Sequence, residues 1–489
     1  MKSYYRYCIL FSLGVWMMLH TGCKKLLEID EPKSSITGEK VFNYNEQAEA
    51  AMDGVYSRLI NGVNQNWATS GIQQGFAAGM YNVITGLSAD EYTGDPALLG
   101  NYYPYNQNKV SQELGSSTAM VIWESAYVCI NGTNAILEGI AASKSSKLTA
   151  ATRTRLNGEA YFLRAYAHFQ LLNVFGDVPL VLTTNFNVTR SMPRTPMQQV
   201  YQQIEQDLLQ AENLLDVQYN SPTKERIRPN KFAAKALLAR LYLYKKEYAK
   251  AAQYAGEVIA EKAFYNLSGN LNDVFLKNST DAIWQLKQTN ALAGQNNAVP
   301  EVVSTTPNAG GLLLVALSGG LHDTFEPNDA RKQHWVGETS YLGQHYWYNL
   351  KYKVTIPLSV PSGDIQEYYM QARLSEQYLI RAEALLLGTN DKEGALSMLA
   401  PIRARAGLTT PAAASVSNDE VVALIMHERQ VELFGEGHRW LDLRRTNQAT
   451  AVLSKIPLKQ PWKGDDQLLY PVPASEILTN PNLKQNKGY

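Results

Sequence analysis

Asn230 to Lys262 reads NKFAAKALLARLYLYKKEYAKAAQYAGEVIAEK, and its apolar pattern leaves few folds open to it. Phe232, Ala236, Ala239, Leu243 and Tyr244 fall at helical spacing, and so do Ala251, Ala252, Ala255, Val258 and Ile259. Glu247 and Tyr248 lie between the two runs, where a tight turn reverses the chain. Ala239 and Ala251 are 12 residues apart, with Tyr242 and Tyr248 between them. Small residues let two antiparallel helices approach closely while an aromatic fills the remaining gap. One such hairpin cannot bury both of its faces, so the chain must supply neighbours that stack on it.

The hairpin resembles a tetratricopeptide repeat. A second repeat-like hairpin is expected at Gln377–Arg405, with Tyr378, Ala382, Leu385 and Leu386 on one helix and Ala395, Leu399 and Ile402 on the other. Further helices are expected at Glu46–Leu59, at 120–137, at Arg153–Val174, at Pro196–Leu215 and at Asn418–Leu433. The helix Arg153–Val174 stops at Phe175-Gly176-Asp177-Val178-Pro179, where Gly ends a helix and Pro cannot continue one. Two stretches, 61–115 and 267–363, lack a helical period and read as loops with a few short strands or turns. The expected fold is therefore mainly α: helical hairpins forming a scaffold, with long irregular loops and a few short strands.

At the N-terminus, Lys2 and Arg6 precede the apolar run Ile9–Leu19 and then Thr21-Gly22-Cys23. This is a secretory signal over residues 1–22, too short to span a membrane. Gly22-Cys23 further suggests a bacterial lipoprotein with Cys23 as its lipidated first residue. Without the leader the chain carries a slight acidic excess, so a membrane attachment must come from the lipid. Formal charge is balanced at 45 basic and 45 acidic residues, which gives no basic footprint for nucleic acid. Cys8, Cys23 and Cys129 are far apart and show neither a disulfide framework nor zinc spacing.

Several stretches in a fixed order carry a wider resemblance. They are Cys23 with Leu27–Pro32, Trp123/Tyr127/Ile130/Asn134, and GEAYFLRAYAHFQLLNVFGDVPLV from Gly158 to Val181. The hairpin at 230–262 follows, then HERQVELFGEGHRWLDLRR from His427 to Arg445, and an end running from Tyr470-Pro471 to Gln485-Asn486-Lys487-Gly488-Tyr489. Over nearly the whole mature chain this resembles a SusD/RagB-type outer-membrane lipoprotein of Bacteroidetes. The resemblance divides the chain into an N-terminal SusD-like region, 23–220, and a C-terminal RagB/SusD region, 221–489, forming one compact unit. It implies a lipid-anchored, surface-exposed protein that partners a SusC-like TonB-dependent transporter and binds nutrient, usually glycan. The likeness gives no ligand pattern in 65–115 or 290–350.

Candidate chemistry is sparse. Glu428, Glu432 and Glu436 stack at i, i+4 and i+8, followed by His438, Arg439 and Asp442. Such carboxylates serve acid–base work or cation binding, but Arg429, Arg439, Arg444 and Arg445 stand near enough in sequence to form an ion-pair network instead. His427-Glu428 opens like a zinc-protease motif, yet position 431 is Val, so that reading fails. Ala316-Leu317-Ser318-Gly319-Gly320 faintly resembles a nucleophile elbow but lacks the alternating strands and helices that an elbow requires. No metal site, phosphate loop or dinucleotide fingerprint appears, so no cofactor and no enzymatic activity are expected.

Aromatic residues in the loops are the remaining signal. A sugar offers C–H patches and hydroxyl edges, so its site needs flat rings beside amides or carboxylates. Trp67, Tyr81, Asn82, Asp90, Tyr92, Tyr102, Tyr103 and Tyr105 supply both, and Trp335, Tyr341, His345, Tyr346 and Trp347 form a second group. Glycan capture for delivery to a transporter is the leading expectation. Peptide capture by the same scaffold, or a helical-repeat assembly scaffold without a small ligand, are the alternatives.

Overall fold

The computed structural model describes residues 41–62, 75–77, 79–112, 116–221, 223–287, 304–308, 310–354 and 366–489. The leader, Cys23 and Trp67 lie outside the described residues. The long helices are α1 (Asn45–Asn61), α2 (Met80–Ser88), α3 (Ser116–Ala142), α4 (Ala150–Phe175), α5 (Met197–Leu214), α6 (Lys231–Tyr244) and α7 (Tyr248–Ala260). They continue with α8 (Leu374–Thr389), α9 (Lys392–Arg405), α10 (Asn418–Leu433) and the short α11 (Arg439–Arg445). Packing follows the chain: α1 and α4 flank α3, α5 joins α4 to α6, α7 meets α8, and α9 and α10 close the array on α8. No described helix is long and apolar enough to cross a membrane.

Local chemistry sets the ends of these helices. The Thr149 side chain caps α4 by accepting from the Thr152 N–H, and Gly176 stops it at φ 74°. Asn230 caps α6, and Ser417 with Glu420 forms a reciprocal capping box on α10. In the opening hairpin the turn falls on Lys245–Glu247, with Lys246 at φ 60°, so Tyr248 begins α7 rather than the turn. Ala239, Ala251 and Ala255 are fully buried between the helices. The ring that fills the gap is Tyr242, stacked on Tyr254 with centroids 5.5 Å apart. Tyr248 instead lies against Gly388 and couples this hairpin to the next, where a Cβ would come within 2.7 Å of it.

One expectation is corrected in the 61–115 stretch, which contains helix α2. All but one residue of Met80–Ser88 are buried, so the helix has no polar face and leaves no amphipathic period to read. The strands are β1 (Tyr92–Thr93), β2 (Ala282–Leu286), β3 (Ala316–Leu317), β4 (Val336–Tyr341), β5 (Gln344–Asn349) and β6 (Tyr369–Arg373). They pair antiparallel as β1–β3, β2–β6 and β4–β5. Trp284 on β2 is fully buried and takes Phe162 and Tyr166 of α4 edge-on at 4.9 and 5.1 Å, which seats the strands on the helical array. Fully burying such side chains contributes about 1.5–3 kcal/mol each.

Candidate functional site

Hairpin β4–β5 is an aromatic ribbon. Side chains alternate along a strand, so His345 and Trp347 share one side with Glu338, while Tyr346 and Tyr348 share the other with Gly337 and Thr339. Gly337 leaves room for the Tyr348 ring, since a Cβ there would come within 2.2 Å of it. On the first side His322 stacks on Trp347, with centroids 3.9 Å apart and planes 15° from parallel. His345 meets the same indole edge-on at 5.4 Å. Tyr341, Tyr346 and Trp347 are half-buried, and Leu342 at the turn is 83% exposed.

His322 is delivered by the short helix Gly319–Thr324. Ser318 caps that helix: its hydroxyl accepts from the Leu321 N–H at 3.1 Å and donates to the Asp90 carbonyl. The serine that resembled a nucleophile elbow is therefore a helix cap beside the antiparallel β1–β3 pair. The same helix walls a cavity of about 650 Å³ with Ser318, Gly320 and Thr324, facing Asp90, Thr93 and Asn106. Arg439 clamps the Asp90 carboxylate with two 2.8 Å hydrogen bonds across this cavity. Gln430, Arg439 and Val452 also line a second cavity of about 610 Å³, so the two recesses share a wall. Lys459 also lines the first cavity; its Nζ donates to the Leu87 carbonyl at 2.7 Å, the Asn106 carbonyl at 3.0 Å and Asn108 Oδ1 at 2.6 Å. Burial pulls its ammonium down to about 7.

Most of the aromatics named from sequence pack inward. Tyr81, Tyr92, Tyr105 and Trp335 are buried, which corrects their reading as open ring faces. Tyr105 meets Tyr470 edge-on at 4.9 Å, and Trp335 donates its indole N–H to the Leu271 carbonyl at 3.0 Å. The Tyr92 hydroxyl accepts from Asn349 Nδ2 at 2.9 Å, so the residue only edges the larger cavity. Asn82 is half-buried and donates to the Tyr369 hydroxyl at 3.0 Å. Tyr102 and Tyr103 are half-buried against the core. Asp90 lines the cavity, and Tyr341 stands on the ribbon. Sequence reasoning missed His322, Thr93, Asn106, Thr324 and Gln430; Thr93, His322 and Thr324 lie near glycines, while Asn106 and Gln430 carry no local signal.

The three stacked glutamates are held by arginines from elsewhere in the chain. Glu428 accepts from Arg331 at 2.7 Å and from Arg403 at 2.5 Å. Glu432 accepts from Arg331, Arg373 and Arg405, and Glu436 from Arg373 and Lys351. The arginines expected to neutralise the acids of this motif reach Asp442 but none of the three glutamates. Arg429 bonds Asp442, Arg439 bonds Asp90, Arg445 bonds Asp442 and Glu383, and Arg444 donates to the Asn173 carbonyl. A helix turns about 100° per residue, so Arg429 faces away from its neighbour Glu428. Burial opposes charge on Glu432, but Arg405, Arg373 and Arg331 outweigh it and hold the carboxyl well below its usual range.

Two buried titratable groups are pushed away from neutral-pH chemistry. Burial pushes the His438 imidazole down to about 4 and the Cys129 thiol up to about 12, away from general-base or thiolate chemistry at neutral pH. Glu326, His427 and Glu428 bring ligand atoms within 4.8 Å of one another, yet Arg403 already bridges the two carboxylates. A cation placed there would face a guanidinium at contact distance.

Comparison with known proteins gives two family matches. Residues 62–243 match a family described as starch-binding, associating with outer membrane, and residues 338–489 match the SusD family. SusD-like protein P2 of Formosa agariphila is 25% identical, covering 97% of this chain and 98% of its own. A SusD-like protein of Bacteroides ovatus is 23% identical, covering 89% and 81%. Among solved structures, a SusD superfamily protein from Bacteroides vulgatus superposes with a TM-score of 0.77 at 20% identity, covering 92% of this chain and all of that one. A laminarin-binding SusD-like protein superposes at 0.74 with 23% identity, covering 92% and 100%. A surface glycan-binding protein A from Bacteroides fluxus does so at 0.72 with 21% identity, covering 91% and 99%.

Proposed function

This chain belongs to the SusD-like family, and from that premise we propose that it is a surface lipoprotein that captures glycan and passes it to a TonB-dependent outer-membrane transporter. The observation that carries the ligand class is the His322–Trp347 stack, whose histidine sits on the helix that also walls the larger cavity. A half-buried indole on a rigid ribbon takes the C–H patch of a sugar ring, and the hydroxyls, amides and Asp90 that line the cavity take its hydroxyl edges. The cavity is within the usual size range for a small-ligand site. Two structural neighbours bind laminarin or surface glycan by their own descriptions, which supports the same class here.

The protein acts by binding and not by catalysis. Cys23 carries the lipid, and confinement at the membrane raises the effective concentration of captured ligand near the transporter, so modest affinity is enough. Affinity electrophoresis and a glycan array on the chain from residue 24 test the ligand class. Carbohydrate binding is expected; binding to peptide digests with none to carbohydrate overturns it, and binding to neither leaves the scaffold reading. Release of reducing sugar by the purified protein would show an enzyme. A large membrane barrel is expected to co-purify, and its absence from detergent extracts refutes the transporter partnership. In cells treated with a globomycin-type inhibitor the uncleaved precursor accumulates; indifference to the inhibitor rules out lipidation.

A further inference from the structure

Between Val178 and Pro196 the chain leaves the helical array and returns. The base is closed where Thr195 donates its N–H to the Val178 carbonyl at 2.9 Å. The outgoing leg is pinned to α3: the Tyr127 hydroxyl donates to the Pro179 carbonyl, Asn134 to the Val181 carbonyl, and Glu138 accepts from the Thr184 N–H. The returning leg is pinned to the C-terminal segment through Asn480 to the Met192 carbonyl, Asn482 to the Ser191 carbonyl and Arg194 to the Lys484 carbonyl. Between these pins a single helical turn, capped by Asn185, holds Phe186 69% exposed and Val188 48% exposed, with Leu182 at 37%. An apolar cluster presented to solvent on a loop fixed at both legs calls for a partner.

Two observations identify the partner. From Val178 to Pro196 there is no acidic residue, and the charged residues are Arg190 and Arg194. The Arg190 guanidinium lies 5.9 Å from the Phe186 ring centre. Aromatic and aliphatic tips backed by arginine have the composition of a contact with lipid headgroups and upper acyl chains. The second observation is where the N-terminal segment enters the fold. Phe42 packs on Gly139 of α3, and Ser143 donates to the Phe42 carbonyl at 2.6 Å. Gly139 directly follows Glu138, the residue that holds Thr184. The N-terminal entry at Phe42 and the exposed loop therefore meet the same end of one helix.

We propose that Leu182, Phe186, Val188 and Arg190 form a membrane-contact patch that enters the lipid interface when the chain is anchored at its N-terminus. The inference rests on the anchoring reading, and the lipid and the patch together fix how the protein sits on the membrane. A chain from residue 24 with Phe186→Cys has one accessible thiol, because Cys8 and Cys23 are absent and Cys129 is buried. An environment-sensitive dye is placed there, or at Leu342→Cys as a control. Each chain is tethered by an N-terminal His tag to phosphatidylethanolamine–phosphatidylglycerol vesicles containing a nickel-chelating lipid and a headgroup-level nitroxide lipid. At position 186, quenching at least about threefold above that at position 342 is expected for a side chain entering the interface. Equal quenching at the two positions, or none at 186, overturns the patch. The tag makes this result independent of Cys23 lipidation, which the globomycin experiment reads separately.

Discussion

Arg331 Nη1 lies 2.7 Å from Glu428 Oε2, and both side chains are wholly excluded from solvent although 97 residues separate them in sequence. This pair is the centre of a buried cluster that joins the short helix before β4 to α10, and through Arg373 to β6. Removing one member of such a cluster leaves an uncompensated buried charge. Glu432→Ala should therefore destabilise the fold by about 3–5 kcal/mol. Thermal unfolding reads the loss, and glycan affinity below the new transition should stay within about twofold. Lost binding with an unchanged transition would assign the cluster to the ligand site.

The same cluster sets an acid limit. Burial opposes charge on Glu436, but Arg373 and Lys351 outweigh it and hold its carboxyl near about 2, against 4.5 in an open chain. A folded pKa below the unfolded one gives stability that is complete above about 4.5 and lost as pH falls toward about 2. Urea midpoints should fall between those values, and Glu436→Gln should flatten that part of the profile. An equally steep fall in the variant would exclude Glu436 as the source.

Glu91 works in the opposite direction. Burial, reinforced by Asp90, lifts its carboxyl to about 8, against the opposing pull of Arg439 and Lys351. The folded protein keeps a proton there that the unfolded chain releases near 4.5, so this group's contribution falls as pH rises from about 4.5 to about 8. Glu91→Gln mimics the protonated form. It should raise stability at pH 8 by roughly 1–3 kcal/mol and change little at pH 4.5. A gain of equal size at both values would refute the assignment.

Trp347→Ala removes the indole on which His322 stacks. Glycan affinity should drop at least tenfold, about 1.4 kcal/mol, while the melting temperature moves only slightly because the ring is half-buried at the edge of the core. Isothermal titration with a glycan found on the array measures it. Undiminished affinity would move the site away from the ribbon.

Gly435 has φ 72°, and a Cβ there would lie 2.3 Å from Asn349 Nδ2 and 2.7 Å from the Tyr92 hydroxyl. Gly435→Ala should strain the left-handed turn and break the Tyr92–Asn349 hydrogen bond, at a cost of about 2–3 kcal/mol. Because Asn349 ends β5, the ribbon should also loosen, with faster amide exchange at 344–349. Unchanged exchange would separate the glycine step from the ribbon.

Helices with one apolar face were legible in the chain. Asn418–Leu433 begins and ends where the sequence places it, and both hairpins fall within a few residues of their expected limits. Helix α2 was not legible, because a helix buried on all sides has no periodicity. The aromatics show the same divide. Tyr92 and Trp347 read alike in a loop-rich stretch, but one closes a hydrogen bond inside the core and the other stands half-open under a histidine.

Sequence by itself determined the helical scaffold and the family, because periodicity, capping and charge act over a few residues and survive in the linear text. Tertiary structure alone decided which arginine answers which glutamate, which rings face solvent, and that His322 reaches Trp347. Those outcomes depend on helix phase and on contacts between elements distant along the chain, and neither leaves a local pattern to read.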